Sequence, residues 1–137
     1  MDCELQEKTR VPEAELKSLR ALWQSMGRDL PGICLDPVWE VKNDPGEPCL
    51  VKGPILCDPA AKEQVPGCVF GCAMWCEDGP GALITIMRPE PMLLAHEVAH
   101  WLIWCSGLDR TGDLRHEDAE VWDSRDGFVA QWVRLHR

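Results

Sequence analysis

The chain has 137 residues, 45% of them hydrophobic and 27% charged, the balance of a globular rather than a disordered chain and a length that suits one domain over residues 1–137. Fourteen basic side chains against twenty-three acidic ones give a formal charge of −9, which repels a phosphate backbone and argues against a nucleic-acid partner. The longest run free of Asp, Glu, Lys and Arg is Gln64–Cys76, well short of the roughly 20 apolar residues of a membrane span, so no span is expected.

Leu16, Leu19, Leu22, Trp23 and Met26 recur at helical spacing, with Pro12 at the start and Gly27 at the stop. Glu13, Glu15, Lys17 and Arg20 fall between them, so the pattern predicts an amphipathic helix covering a core. Residues 28–67 are proline-rich and read as short strands and turns, with Val38–Lys42 and Leu50–Val51 as strand candidates and residues 43–46, Asn-Asp-Pro-Gly, as a turn. Two firmer strands follow, Cys68–Cys76 and Ala82–Met87, joined by the turn signal of residues 77–81 into a hairpin. Pro91 then suits the first turn of a helix over Met92–Cys105, which is apolar nearly all round and ends at Ser106-Gly107. After a polar loop, a last helix over Asp118–Leu135 carries Val121, Trp122, Phe128, Val129, Trp132 and Val133 as its core face, with Gly127 as the point where it can break. The class is α+β: a small twisted sheet packed on a buried helix, with helices at both ends.

Eight cysteines in a chain this short read as a disulfide framework, and hence as a secreted or periplasmic protein whose leader has been removed. Free buried thiols and a metal cluster are the alternatives. On one strand face Cys68, Cys72 and Cys76 are spread too far apart to hold a single ion. Cys105, at the end of the buried helix, is placed to pin that helix to the sheet.

The chemistry lies in that helix, which carries His96-Glu97-Val98-Ala99-His100. Histidines four apart project from one helix face and can share a metal ion; imidazole nitrogen suits Zn²⁺, and the glutamate between them can accept a proton from an attacking water. Chance alone produces such a pentad in about one chain in a hundred of this composition. The bland alternative is a pair of hydrogen-bonded core histidines beside a salt-bridged glutamate. Burying all three in an apolar helix without a partner is costly, which favours the metal. A third protein ligand is then needed, and Asp109, Asp113, His116, Glu117 and Glu120 are the downstream candidates.

With these residues in place, the chain resembles the zincin metallopeptidases, whose HExxH signature is met in full by His96, Glu97 and His100. The likeness covers about residues 82–122, and it implies a minimal zincin core in which the strand before the helix lies along the bound peptide. Metzincins place Gly and His where this chain has Ile103 and Ser106, and they follow with a methionine turn, whereas no methionine occurs here after Met92; that branch does not fit. The Thr111-Gly112-Asp113-Leu114-Arg115-His116 segment is similar to the Thr-Gly-Asp-x-x-His segment of short bacterial and phage zincin-like proteins, which implies His116 as third ligand. A gluzincin pattern would instead use Glu120. The implied function is a zinc-dependent peptidase acting on a peptide or protein, with Glu97 as general base. Asp113 and Glu117 are candidates to orient an imidazole. His136, Arg110 and Arg115 are candidates for the second oxyanion donor, since the chain has no tyrosine. The competing readings are a non-catalytic protein that holds zinc for stability and a disulfide-stapled domain with an accidental pentad.

Overall fold

The structure, a computed structural model, describes residues 8–41, 71–75, 81–86, 91–113 and 115–136. The Leu50–Val51 strand, the turns at 43–46 and 77–80 and the cysteines at 3, 49, 57, 68 and 76 lie outside those residues.

Helix α1 spans Glu13–Ser25, with Pro12 at its N-terminus and Gly27, at φ +82°, beyond its end. Leu16, Leu19 and Trp23 are fully buried, as the spacing predicts. Arg20 departs from the expected solvent side. It is buried, and its guanidinium donates to the carbonyls of Cys34 (2.8 Å) and Asp36 (2.5 Å). Its charge is accommodated because the helix lies against a stretch of backbone with carbonyls to satisfy.

Four strands form one sheet: β1 (Lys8–Arg10), β2 (Val38–Val41), β3 (Gly71–Trp75) and β4 (Ala82–Ile86), in the order β1-β2-β4-β3. β3 and β4 are the predicted hairpin, antiparallel with Cys72 opposite Thr85. β2 joins β4 in parallel and pairs β1 antiparallel. The three-residue β1 was not anticipated, being too short for alternation to register. β4 is therefore an interior strand, and the burial of the consecutive residues Ala82, Leu83 and Ile84 shows both of its faces covered. With both edges paired it cannot lie along a peptide, contrary to expectation. Gly81 opens β4 at φ +100°, where a Cβ would collide with the Pro37 carbonyl that receives the Ala82 N–H.

Helix α2, Pro91–Cys105, packs on β3 and β4 and buries residues all round its circumference. It ends as predicted at Gly107 (φ +77°), with Leu108 N–H on the Ile103 carbonyl and Gly107 N–H on the Trp104 carbonyl, a Schellman closure. Cys105 bonds Cys34, which sits in a short 3-10 turn over Gly32–Leu35. The cysteine pins the helix to the turn that Arg20 also grips, not to a strand of the sheet.

The last helix is broken. Helix α3 covers Ala119–Trp122 and helix α4 covers Phe128–Leu135. Gly127 is the reason: a Cβ there would lie 2.6 Å from the backbone N and O of Asp123 and 2.7 Å from the Val121 carbonyl. Val121, Phe128 and Trp132 complete the core, Phe128 standing edge-on to Trp23 at 5.3 Å.

Candidate metal centre

His96 and His100 lie one turn apart on α2, and the loop after that helix returns His116 between them. The His116 Nε2 is 3.2 Å from the Nε2 of His96 and 3.1 Å from that of His100. Three nitrogens held about 2.0–2.1 Å from a tetrahedral zinc stand roughly 3.3–3.4 Å apart. His100 donates its Nδ1–H to the Gly112 carbonyl at 2.7 Å, which leaves its Nε2 lone pair facing the cluster. Burial, with the neighbouring His100 and His116, pushes His96 down to about 3, and burial pushes His100 down to about 4 against the Gly112 bond. Near neutral pH the imidazoles are therefore uncharged and their lone pairs crowd one another, which a cation relieves. The donor set fits a metal ion, and these three form a possible metal-binding group among the described residues.

Asp109 and Glu120, two of the other candidate ligands, are engaged elsewhere. Asp109 accepts both the backbone N–H and the hydroxyl of Thr111 at 2.7 Å, which holds its carboxyl below the usual range. Glu120 takes the Arg28 guanidinium at 3.0 Å, and Arg28 also donates to both oxygens of Asp118 at 2.8 Å. Glu117 contributes its backbone N–H to Asp113. His136 caps the far end of α4 through the Trp132 carbonyl, 2.9 Å from its Nδ1.

Asp113 orients no imidazole directly, contrary to expectation; that task falls to the Gly112 carbonyl. Its buried carboxylate instead accepts the N–H groups of Glu117 (3.0 Å) and Asp118 (2.9 Å) and the indole N–H of Trp122 (2.6 Å). Burial raises its pKa, but these three bonds outweigh that and leave the carboxyl lowered. Trp122, expected as a core residue, lays its ring 4.7 Å from His96, 4.7 Å from His100 and 4.6 Å from His116. One indole thus abuts all three ligands. The loop is left-handed at Gly112 (φ +69°), Asp113 (+62°) and His116 (+58°), a conformation that costs an L-residue roughly 1–2 kcal/mol and is retained at His116 where it places a ligand. Neither the Gly112 carbonyl nor the Trp122 contact carries a side-chain signal in the sequence; the sole hint was a tryptophan whose N–H needs an acceptor near an acidic loop.

Replacing Asp113 with alanine removes the acceptor from three donors at once. Affinity of the three-histidine group for a divalent metal ion is expected to fall by roughly 10–100-fold, the usual cost of losing an outer-shell partner, with Asp113→Asn milder. Competition with a chromophoric chelator reads this directly.

Glu97 is buried, 3% exposed, with Oε1 4.0 Å from the His96 Nε2 and Oε2 without a hydrogen-bond partner among the described residues. Burial raises its carboxyl well above the usual range. In the metal-free protein His96 and His100 should contribute a loss of stability as the pH falls from about 6.5 towards 4, because unfolded histidines bind protons that the native ones refuse. Glu97 acts in the opposite sense, its native carboxyl holding a proton that the unfolded one releases above about pH 4.3. Thermal melts of the metal-free protein beside His96→Ala isolate the histidine contribution as the slope that the variant lacks.

A cleft of about 520 Å³ opens against His96 and His116, floored by Met92, Trp122, Val129, Ala130 and Val133. Arg110 and Arg115 do not line it; the cationic side chain on its wall is Arg134. The chain matches no known protein family, no curated protein and no solved structure.

Proposed function

We propose that the chain is a zinc-dependent peptidase with a zincin-like core, in which His96, His100 and His116 hold the ion. The observation that carries this reading is the approach of the His116 Nε2 to within 3.2 Å of both helix histidines. An all-imidazole set with three protein ligands suits zinc, and when bound in such a site zinc polarises a carbonyl and activates water.

The chain's own part is played by Glu97. It sits one residue from His96 on the same helix, where burial raises its carboxyl; a cation held by the three neutral imidazoles would draw that carboxyl back towards the ionised form. Glu97 takes the proton of the attacking water and delivers it to the leaving amine. The peptide lies in the cleft beside His96 and His116. Of the hairpin strands, β3 is the one with an edge unpaired among the described residues, and it packs on α2. A Cys34–Cys105 disulfide is in keeping with an exported protein, secreted or periplasmic. No helix among the described residues is long and apolar enough to cross a membrane.

The test is Glu97→Gln. This variant is expected to keep its zinc and its fold while hydrolysis of an unfolded protein substrate falls at least roughly a hundredfold. Zinc retained with no hydrolysis by the unaltered chain, over a broad peptide mixture, would leave the ion a stabilising role only.

A further inference from the structure

We infer that Arg28 is a positioning residue of the metal centre, holding the His116 loop in its ligating conformation from outside, an inference that rests on the metal-centre part of the reading above. Arg28 follows α1, just beyond the left-handed turn at Gly27. Its Nη2 donates to both carboxylate oxygens of Asp118 at 2.8 Å and to Glu120 at 3.0 Å. The guanidinium also lies over the ring of Trp23, 5.1 Å from its centroid. Trp23 is fully buried in the core, and its indole N–H donates to the Asp29 carbonyl at 3.3 Å, which fixes the segment that carries Arg28. The side chain is thus anchored on the body of the protein while its tip grips the ligand loop. Only 13% of it is exposed, so solvent screens this contact less than it would an open surface pair.

The loop needs such a hold. Asp113 and His116 both sit in the left-handed region, which an L-residue keeps only where its surroundings enforce it. Asp113 supplies part of that enforcement from within the loop, through the N–H groups of Glu117 and Asp118, and the Gly112 carbonyl ties the start of the loop to His100. Beyond His116 the outward tie is made by Asp118, two residues on. Its N–H reaches Asp113 at 2.9 Å, its Oδ1 accepts the Glu120 N–H at 3.1 Å to cap α3, and both of its oxygens take Arg28. Arg28 offsets charge as well. Asp113, Glu117, Asp118 and Glu120 bring four carboxylates into eight residues beside a cation site, and the guanidinium engages two of them. Left unpaired, those two would repel each other and pull the loop towards the metal as rival ligands.

The test is a competition titration of Zn²⁺, with the visible spectrum of the Co²⁺-loaded protein beside it. Both are recorded for the unaltered chain, Arg28→Met, Arg28→Lys, Asp118→Asn and the Arg28→Met/Asp118→Asn double variant. Methionine keeps an unbranched apolar stem over Trp23, and asparagine keeps an acceptor for the α3 cap, so each removes the ion pair with little else. Arg28→Met should weaken zinc binding about tenfold, the lower end of the cost of an outer-shell partner, and Arg28→Lys should restore part of that. The absorption bands of tetrahedral Co²⁺ should weaken too, as water displaces a loosened His116. Because the pair acts as one unit, the double variant should bind zinc no more weakly than the weaker single variant.

A residue that served stability alone would lower the melting temperature of the metal-free protein and leave zinc affinity and the cobalt spectrum unchanged; that result would overturn the inference. Additive losses would overturn it too, since Arg28 would then not act through Asp118. Neither readout involves hydrolysis, so the Arg28 effect in a protein that cleaves no peptide keeps this inference and sinks only the peptidase reading. No zinc bound by the unaltered chain would overturn both. Should Arg28→Met fail to fold, Asp118→Asn alone provides the contrast, with the same loss expected.

Discussion

His116→Ala is expected to empty the metal centre. With His116 gone, two imidazoles on one helix remain, and a catalytic zinc needs three protein ligands. The loss should exceed the roughly 10–100-fold that removal of an outer-shell partner costs, so that protein dialysed against a weak chelator falls from about one zinc per chain to a small fraction of that. Glu120→Gln is the matching control. Its carboxylate is held by Arg28 at 3.0 Å and takes no part in the cluster, so zinc content should stay unchanged. The reverse result, zinc kept in His116→Ala and lost in Glu120→Gln, would transfer the third ligand to the glutamate. Elemental analysis of the three proteins side by side decides it.

The second large effect concerns folding rather than chemistry. The Cys34–Cys105 bond spans a sequence separation of 71, and a cross-link closing a loop of that length is worth about 4 kcal/mol through the entropy it removes from the unfolded chain. The double variant Cys34→Ser/Cys105→Ser should therefore melt on the order of 10–15 °C lower. Both cysteines are buried, and Arg20 grips the same turn through the Cys34 carbonyl, so the native geometry has a second tie that survives the substitution. Cys105 lies beyond the last ligand of α2, so the folded fraction should still bind one zinc. Calorimetric melts with and without zinc separate the two contributions, because zinc raises the melting temperature only of species that retain the centre.

The extent to which this molecule can be read from its sequence varies by element. The helices declared themselves through periodicity and punctuation: Pro12 and Gly27 around α1, Pro91 and Gly107 around α2, and Gly127 at the break before α4. The β3–β4 hairpin was visible from its alternation and turn residues. The sheet order was not, because parallel pairing of Val38–Val41 with Ala82–Ile86 is a long-range choice that leaves no local signature. That choice makes β4 an interior strand. Arg20 differs from its spacing for a related reason: the spacing says surface, and only the tertiary approach of the 32–36 backbone provides carbonyls to bury it against.

At the centre, the pentad and His116 were legible because metal ligands must be particular side chains at particular spacings. Their supports were not. The Gly112 carbonyl is a backbone group, and the role of Asp113 became clear only once the loop folded back on Glu117, Asp118 and Trp122. Trp122 has the composition of a core residue and the position of a buttress.

The spacing of the ligands along the chain sets an order of assembly. β2 and β4 meet only after the whole intervening segment has been brought round, and the disulfide closes a longer loop still. His96, His100 and His116, by contrast, belong to one helix and the loop that follows it, and closing a short loop costs less entropy than closing a long one. Helix α2 and its return loop can therefore gather the three imidazoles while the sheet is still open, and the cross-link to Cys34 then fastens a helix already bent to its task. On loop-closure entropy alone, any metal uptake by the three histidines is expected to precede closure of the Cys34–Cys105 bond. A chain kept reduced thus retains the means to build its centre, and loses the lock that keeps it built.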